Sequence, residues 1–189
     1  MTRTLSERRT DFTRSLILET AIELLEESGV RELTMRRIAK QVGMSERSMF
    51  RYFATRDEFL DAVADEARAR LALPPPPKTI AELRAFPRAL YTAFEAKHAL
   101  VAAGLQSEIF SRMREAAAST RWTAVRKLID EAAPRAAPRA RKVHGANICY
   151  LLGATSWHCY RIYFRFSLDD TIACAETGIA LALDALGID

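Results

Sequence analysis

An all-α fold is the architecture this sequence predicts, and three observations predict it. Hydrophobic residues make up 49% of the 189 positions, enough for a substantial core, while only 7 residues are Gly and 7 Pro. Ala, Leu, Glu and Arg, all good helix formers, recur along the whole chain. Apolar residues return every three or four positions in one segment after another, the period of a helix with one buried face. No β-sheet is expected, and the length fits one domain or a small domain joined to a larger one.

The first helix is expected over Phe12 to Ser28, with Phe12, Leu16, Ile17, Ala21, Leu24 and Leu25 inward and Ser28-Gly29 as its stop. Arg14 and Arg31 read as ordinary solvated charges. Thr34 is positioned to cap a short second helix, "MRRIAKQV", that buries Ile38, Ala39 and Val42. Gly43 follows, where a left-handed residue costs least, and Ser45 caps a third helix starting at Glu46. Thr55 and Glu58 have capping-box spacing and open a longer fourth helix carrying Phe59, Leu60, Val63, Ala67 and Leu71 on one face.

Four consecutive prolines, Pro74 to Pro77, cannot continue that helix and place a boundary. Residues 1–56 form the small N-terminal domain, the helix over about 56–73 connects, and 74–189 form the second domain. There Thr79 and Glu82 repeat the capping-box spacing, and Pro87 is expected to kink or restart the helix that follows. A helix over about Glu108 to Ala132 ends in the basic loop "APRAAPRARK". One long helix, about Ala140 to Phe164, is apolar nearly all round, and the last helix, capped by Ser167 or Asp169, is rich in small residues that allow close packing. Those two helices need more cover than one chain supplies, so a second copy is the expected partner.

Charge narrows the function. The chain nets +4, but the window from Arg31 to Arg56 holds seven basic and two acidic residues and so carries +5 by itself. A local basic face on a near-neutral body points to a polyanion met by one small region. The three cysteines, Cys149, Cys159 and Cys174, form no CxxC pair and follow no signal-peptide pattern, which suits a reduced cytoplasm. Residues 145–164 approach membrane-span length but contain Asn147, Thr155, Ser156, His158 and Arg161, so no membrane partner is expected. His144, Cys149, His158 and Cys159 lack the spacing of a metal site, and no phosphate loop, nucleophile elbow or HExxH motif occurs. Neither metal nor cofactor is expected, and a Cys/His hydrolase is the remote enzymatic alternative.

The second and third helices with the Gly43 turn have the length and punctuation of a helix-turn-helix, whose second helix enters the major groove of DNA. Ala39 keeps the crossing close. Ile38, Val42, Met44, Met49 and Phe53 are expected to pack the pair onto the first helix, leaving Glu46, Arg47, Ser48 and Arg51 outside with Tyr52. Met49, Phe50 and Phe53 read most simply as core residues of the small domain.

The run "LTMRRIAKQVGMSERSMFRYFATRDEFL", preceded by "ILETAIELLEESG", resembles the TetR (tetracycline repressor) family of bacterial transcription regulators over roughly the first third of the chain. The resemblance implies a three-helix DNA-binding domain and a divergent helical domain that binds a small molecule and dimerises. Its last two helices, about 140–186, would pair with those of a second subunit in a four-helix bundle. It places Thr34, Arg36, Ser45, Arg47, Ser48, Tyr52 and Arg56 at DNA-contacting positions. Where many members have Tyr, this chain has Phe50, so the alternative reading at that position is a lost phosphate contact.

On chemical grounds Arg47 or Arg36 can fork onto a guanine edge, whereas Arg37, Arg51 and Arg56 suit phosphates. The arm "TRTLSERR" reads either as a solvated tail or as a further DNA contact. The implied effector site has to be built from apolar material with a few polar groups, and Phe94, Phe110, Trp122, Asn147 and Trp157 are the candidates, for an apolar or aromatic effector. The function expected is thus a ligand-released repressor on a palindromic operator of double-stranded DNA; the alternative is a DNA-binding protein with no effector.

Overall fold

The computed structural model describes residues 4–28, 33–106 and 108–188, with only the backbone described at 108–110, 112 and 113. The expected helix stop at Gly29 and the charge at Arg31 lie outside the described residues. All regular structure among those residues is helical: α1 (Leu5–Ser28), α2 (Met35–Val42), α3 (Glu46–Met49), α4 (Arg56–Leu71), α5 (Ile80–Ala96), α6 (His98–Leu105), α7 (Glu108–Ala132), α8 (Pro138–Leu151), α9 (Ala154–His158), a π-helical turn (Cys159–Tyr163) and α10 (Leu168–Asp184). Packing groups them into two compact units, residues 1–70 with 99–113, and residues 71–98 with 114–189.

In the first unit, α1 begins two turns earlier than the apolar period predicts. The reason is local. Thr4 Oγ1 accepts the Glu7 backbone N–H at 3.3 Å, and the Glu7 carboxylate accepts the Thr4 N–H at 2.8 Å, so a capping box closes the helix start ahead of its apolar face. The segment "LSERR" is therefore helical rather than a loose tail, while Thr2 and Arg3 of the arm lie outside the described residues. Ile17, Ala21, Ile22, Leu24 and Leu25 form the buried stripe of α1, while Leu5, Phe12 and Leu16 stay exposed.

The start of α4 is a second capping box, with Glu58 N–H to Thr55 Oγ1 at 3.0 Å and Ala54 N–H to Glu58 at 2.8 Å. Phe59, Leu60, Val63 and Ala67 are all buried along it, the spacing of one helix face.

The second unit is organised around α5 and α10, which pack on each other, with α8 also against α10. α5 opens with the Glu82 N–H donated to Thr79 Oγ1 at 3.1 Å and the Lys78 N–H donated to the Glu82 carboxylate at 2.7 Å. It runs unbroken through Pro87, so the restart expected there does not occur. Pro87 is buried, and its ring occupies the core at the expense of one backbone hydrogen bond. At Gly178 a Cβ would lie 2.7 Å from Leu151 Cδ1, the closeness that the small residues of α10 make room for.

The largest departure from the sequence reading is the helix expected over 140–164. It is three pieces: α8 ends at Leu151, α9 starts at Ala154, and a π-helical turn follows. Three side chains hold the break open, two of them from other helices. Tyr91 on α5 donates to the Leu151 carbonyl at 2.5 Å, Arg121 on α7 donates to the Leu152 carbonyl, and the buried Ser156 hydroxyl lies 2.9 Å from the Tyr150 carbonyl and 2.8 Å from that of Gly153. These groups meet carbonyls that a continuous helix would have bonded to its own backbone. Beyond the π-helical turn, Arg165 takes φ +57°, and Arg161 reaches back to the Phe166 carbonyl and forks onto Glu95 at 3.0 and 2.5 Å.

Candidate nucleic-acid interface

The helix-turn-helix is specified residue by residue. Thr34 has an extended backbone, and its hydroxyl accepts the Arg37 N–H at 3.2 Å, which starts α2. α2 stops at Gly43, whose φ of +77° a residue with a Cβ adopts only at a cost. Just beyond it the Met44 N–H returns to the Ala39 carbonyl at 2.9 Å and satisfies an end-of-helix acceptor. Ser45 then accepts the Ser48 N–H at 3.1 Å, and the two serine hydroxyls lie 2.9 Å apart. Two helices thereby start and stop within the fifteen residues from Met35 to Met49.

Burial orients them. Met35, Ile38, Ala39, Met49 and Phe53 are buried, Met49 and Phe53 completely, while Val42 and Met44 are partly covered. With Met49 inward, a rotation of about 100° per residue puts Arg47 and Arg51 about 160° to either side of it, on the outward face. Both are exposed, as are Arg36, Arg37, Ser45 and Arg56, whereas Ser48 and Tyr52 are half-buried. The nine residues expected to meet DNA therefore lie on α2, on α3 and its following turn, and at the start of α4, with their cationic members open to solvent. Such a surface can neutralise phosphates and present guanidinium forks to base edges.

Two residues differ from their sequence readings. Phe50 is not a core plug: it is 49% exposed, at the C-terminal end of α3. Arg14 is not merely a solvated charge. Its guanidinium donates to the Tyr52 carbonyl at 2.6 Å, lies 4.3 Å over the Phe53 ring and comes within 3.8 Å of Glu58. It thus fastens α1 to the turn after α3 and to the start of α4. Nothing in the local pattern around Arg14 marks it, because its partners are about forty residues away.

The residues expected to hold an effector fall in different settings. Phe94 and Trp157 are buried with ring centroids 5.8 Å apart, and Tyr91 continues the cluster 6.2 Å from Phe94. Trp122 is half-buried and lines an open depression of about 470 Å³ on α7 with Thr123, Arg126 and Lys127. Asn147 is exposed on α8, and the side chain of Phe110 lies outside the described part.

Tyr91, Arg121 and Ser156, which pattern reading missed, gather beside this cluster. Burial raises the Tyr91 phenol above its ordinary range against the lowering effect of the Ser156 hydrogen bond, lowers Arg121, and pushes the Cys149 thiol up to about 11, leaving it protonated and poorly nucleophilic at neutral pH. Among the described residues no group of three or more His, Cys, Asp or Glu side chains is placed to hold a metal ion, and no helix is long and apolar enough to cross a membrane.

Comparison with known proteins agrees with this geometry. Residues 17–63, from the middle of α1 into α4, match the family described as "Bacterial regulatory proteins, tetR family". No curated protein matches the chain. Among solved structures, a transcriptional regulator from Rhodococcus sp. superposes with a TM-score of 0.64 at 16% identity, covering 90% of this chain and 96% of that one. NalD of Pseudomonas aeruginosa, described as the secondary repressor of the MexAB-OprM multidrug efflux pump, gives 0.61 at 15% identity over 92% and 96%. The TetR family protein ActR of Streptomyces coelicolor, in complex with (S)-DNPA, gives 0.51 at 14% identity over 93% and 98%. At these identities the likeness is one of fold.

Proposed function

We propose that this chain, whose residues 17–63 match the tetR family of regulators, is such a regulator, binds a near-palindromic operator as a homodimer and is released from it by a small effector. The observation that carries the reading is the outward face of α3 and its turn, where Arg47 and Arg51 project opposite the fully buried Met49. Arg47 or Arg36 reads a guanine, while Arg37, Arg51 and Arg56 hold phosphates with Thr34, Ser45, Ser48 and Tyr52.

The second copy covers apolar surface that the second unit leaves open. Val143 and Tyr150 sit two turns apart on α8, Leu181 projects from α10, and all three are at least 48% exposed. Exposed apolar surface on two helices that pack on each other favours a helical dimer contact. The effector site is built on Phe94 and Trp157, an apolar cluster suited to an apolar or aromatic molecule, with Trp122, Asn147 and Phe110 as further members. The fold likeness to ActR, whose structure holds (S)-DNPA, supports a ligand-binding role for such a unit.

Selection of bound sites from random double-stranded DNA tests the reading. The expected product is an inverted repeat with half-site centres about 34–36 Å apart or slightly more. Arg56→Ala is expected to weaken binding to every sequence and to flatten the salt dependence by about one unit of slope. No enriched sequence, or an unrepeated one, sinks the dimeric operator reading. A thermal-shift panel separates the effector reading from an effector-free DNA-binding protein, since only a ligand that favours the native state raises the melting temperature.

A further inference from the structure

Phe50 puts an apolar ring, 49% exposed, on a surface otherwise made of polar and charged side chains, among them Glu46, Arg47, Ser48 and Arg51. Its backbone is helical, φ −65° and ψ −9°, and the turn continues past it, with Arg51 N–H to Ser48 O at 3.2 Å and Phe53 N–H to Met49 O at 3.0 Å. The helical phase therefore extends to Phe50, which lies about 100° round from Met49 and about 60° from Arg47, its neighbour three positions earlier on the same face.

A phenyl ring has no donor or acceptor for a phosphate or a polar base edge. In a major groove the apolar group it can meet is the 5-methyl of thymine. A cation on one side to draw the surface onto DNA, and an apolar ring beside it, make a pair of unlike readers. We propose that Phe50 is a specificity residue that reads a thymine methyl group next to the base read by Arg47. The proposal rests on the operator reading above.

The test begins with the operator selected by the unmodified full-length chain. Each thymine is replaced in turn by deoxyuridine, which removes the methyl and nothing else. One replacement per half-site is expected to weaken binding about fourfold per contact, the worth of one buried methyl-sized group. Phe50→Ala, expected to fold with an unchanged melting temperature because the ring is exposed, should bind the thymine and uracil operators equally. Phe50→Leu, which stays apolar, should keep part of the preference.

If no thymine methyl matters to the unmodified protein, or if Phe50→Ala keeps the full methyl dependence, the assignment falls while the operator reading stands. If no DNA is selected at all, the operator reading itself fails. These outcomes are distinguishable in one series of binding measurements.

Discussion

The turn between α2 and α3 and the break between α8 and α9 pose the same problem, a helix that ends and another that begins within a few residues, and they solve it differently. At Gly43 the solution is local. The left-handed glycine, the Met44 N–H returned to Ala39, and the Ser45 cap lie within ten residues of one another. At Leu152 the solution is tertiary. Its carbonyl and those of Tyr150, Leu151 and Gly153 are met by side chains, two of which, Arg121 and Tyr91, lie 31 and 60 residues from their acceptors. A locally closed turn keeps its shape by its own bonds, whereas a tertiary one exists only while α5, α7 and α9 are packed around it.

The largest effect is expected where the local turn meets its core. Phe53 is completely buried, packs edge-on to Phe59 at 5.3 Å and lies under the Arg14 guanidinium. Phe53→Ala should cost about 3–5 kcal/mol. Both tryptophans, Trp122 and Trp157, belong to the other unit. Urea unfolding of this variant should therefore show a far-UV circular dichroism transition that precedes the tryptophan fluorescence one. Coincident transitions would show that the two closures are not energetically separate.

Ser156→Ala breaks the tertiary closure. The hydroxyl is 1% exposed and within hydrogen-bonding reach of three carbonyls and the Tyr91 phenol. The Tyr150 and Gly153 carbonyls keep backbone donors and that of Leu151 keeps Tyr91, so its loss removes one hydrogen bond at a cost of about 1 kcal/mol. Trp157, the next residue, should report it by fluorescence. An effect under about 0.5 kcal/mol would mean that Tyr91 and Arg121 close the break without it.

The same contrast explains how much of the molecule was legible in the sequence. Thr34, Gly43, Ser45, Thr55 and Thr79 announce helix ends because each acts on neighbours a few residues away, and all five act as expected. Thr4 and Glu7 carry the same signal, and the early start of α1 was readable in T-x-x-E spacing that apolar periodicity outweighed. The break after Leu151 has no such signature: residues 140–164 look like one apolar helix because two of the three side chains that interrupt it, Tyr91 and Arg121, are distant in sequence. Arg14 was misread for the same reason. Phe50 stood undecided because hydrophobicity alone does not tell a core residue from an apolar reader on the surface, and burial separates the two.

Thr55→Ala sharpens the local side. It removes the hydroxyl that accepts the Glu58 N–H and should cost about 1 kcal/mol in chemical denaturation, visible in the circular dichroism transition and absent from the fluorescence one. A matching loss in the fluorescence transition would show that α4 passes stability between the units.

The smallest effect concerns the tether below the break, where Arg161 forks onto Glu95. The hydrogen bond from Arg161 outweighs desolvation and holds the Glu95 carboxyl below its ordinary value of 4.5, with further lowering from the Arg161 charge and from His98. A carboxyl whose folded pKa is depressed contributes stability that is fully present above its unfolded value and is lost as pH falls through the folded one. The two side chains remain 26% and 30% exposed, so solvent screens the pair and the contribution should not exceed about 1 kcal/mol. Glu95→Gln is therefore expected to be less stable than the unmodified chain by a constant amount between pH 7 and pH 5. That gap should begin to close as pH falls below about 4.5 and go on closing through the depressed folded value, where the native carboxylate takes up its proton. Urea midpoints at several pH values measure it. A gap that persists unchanged to pH 3 would assign the cost to lost packing rather than to charge.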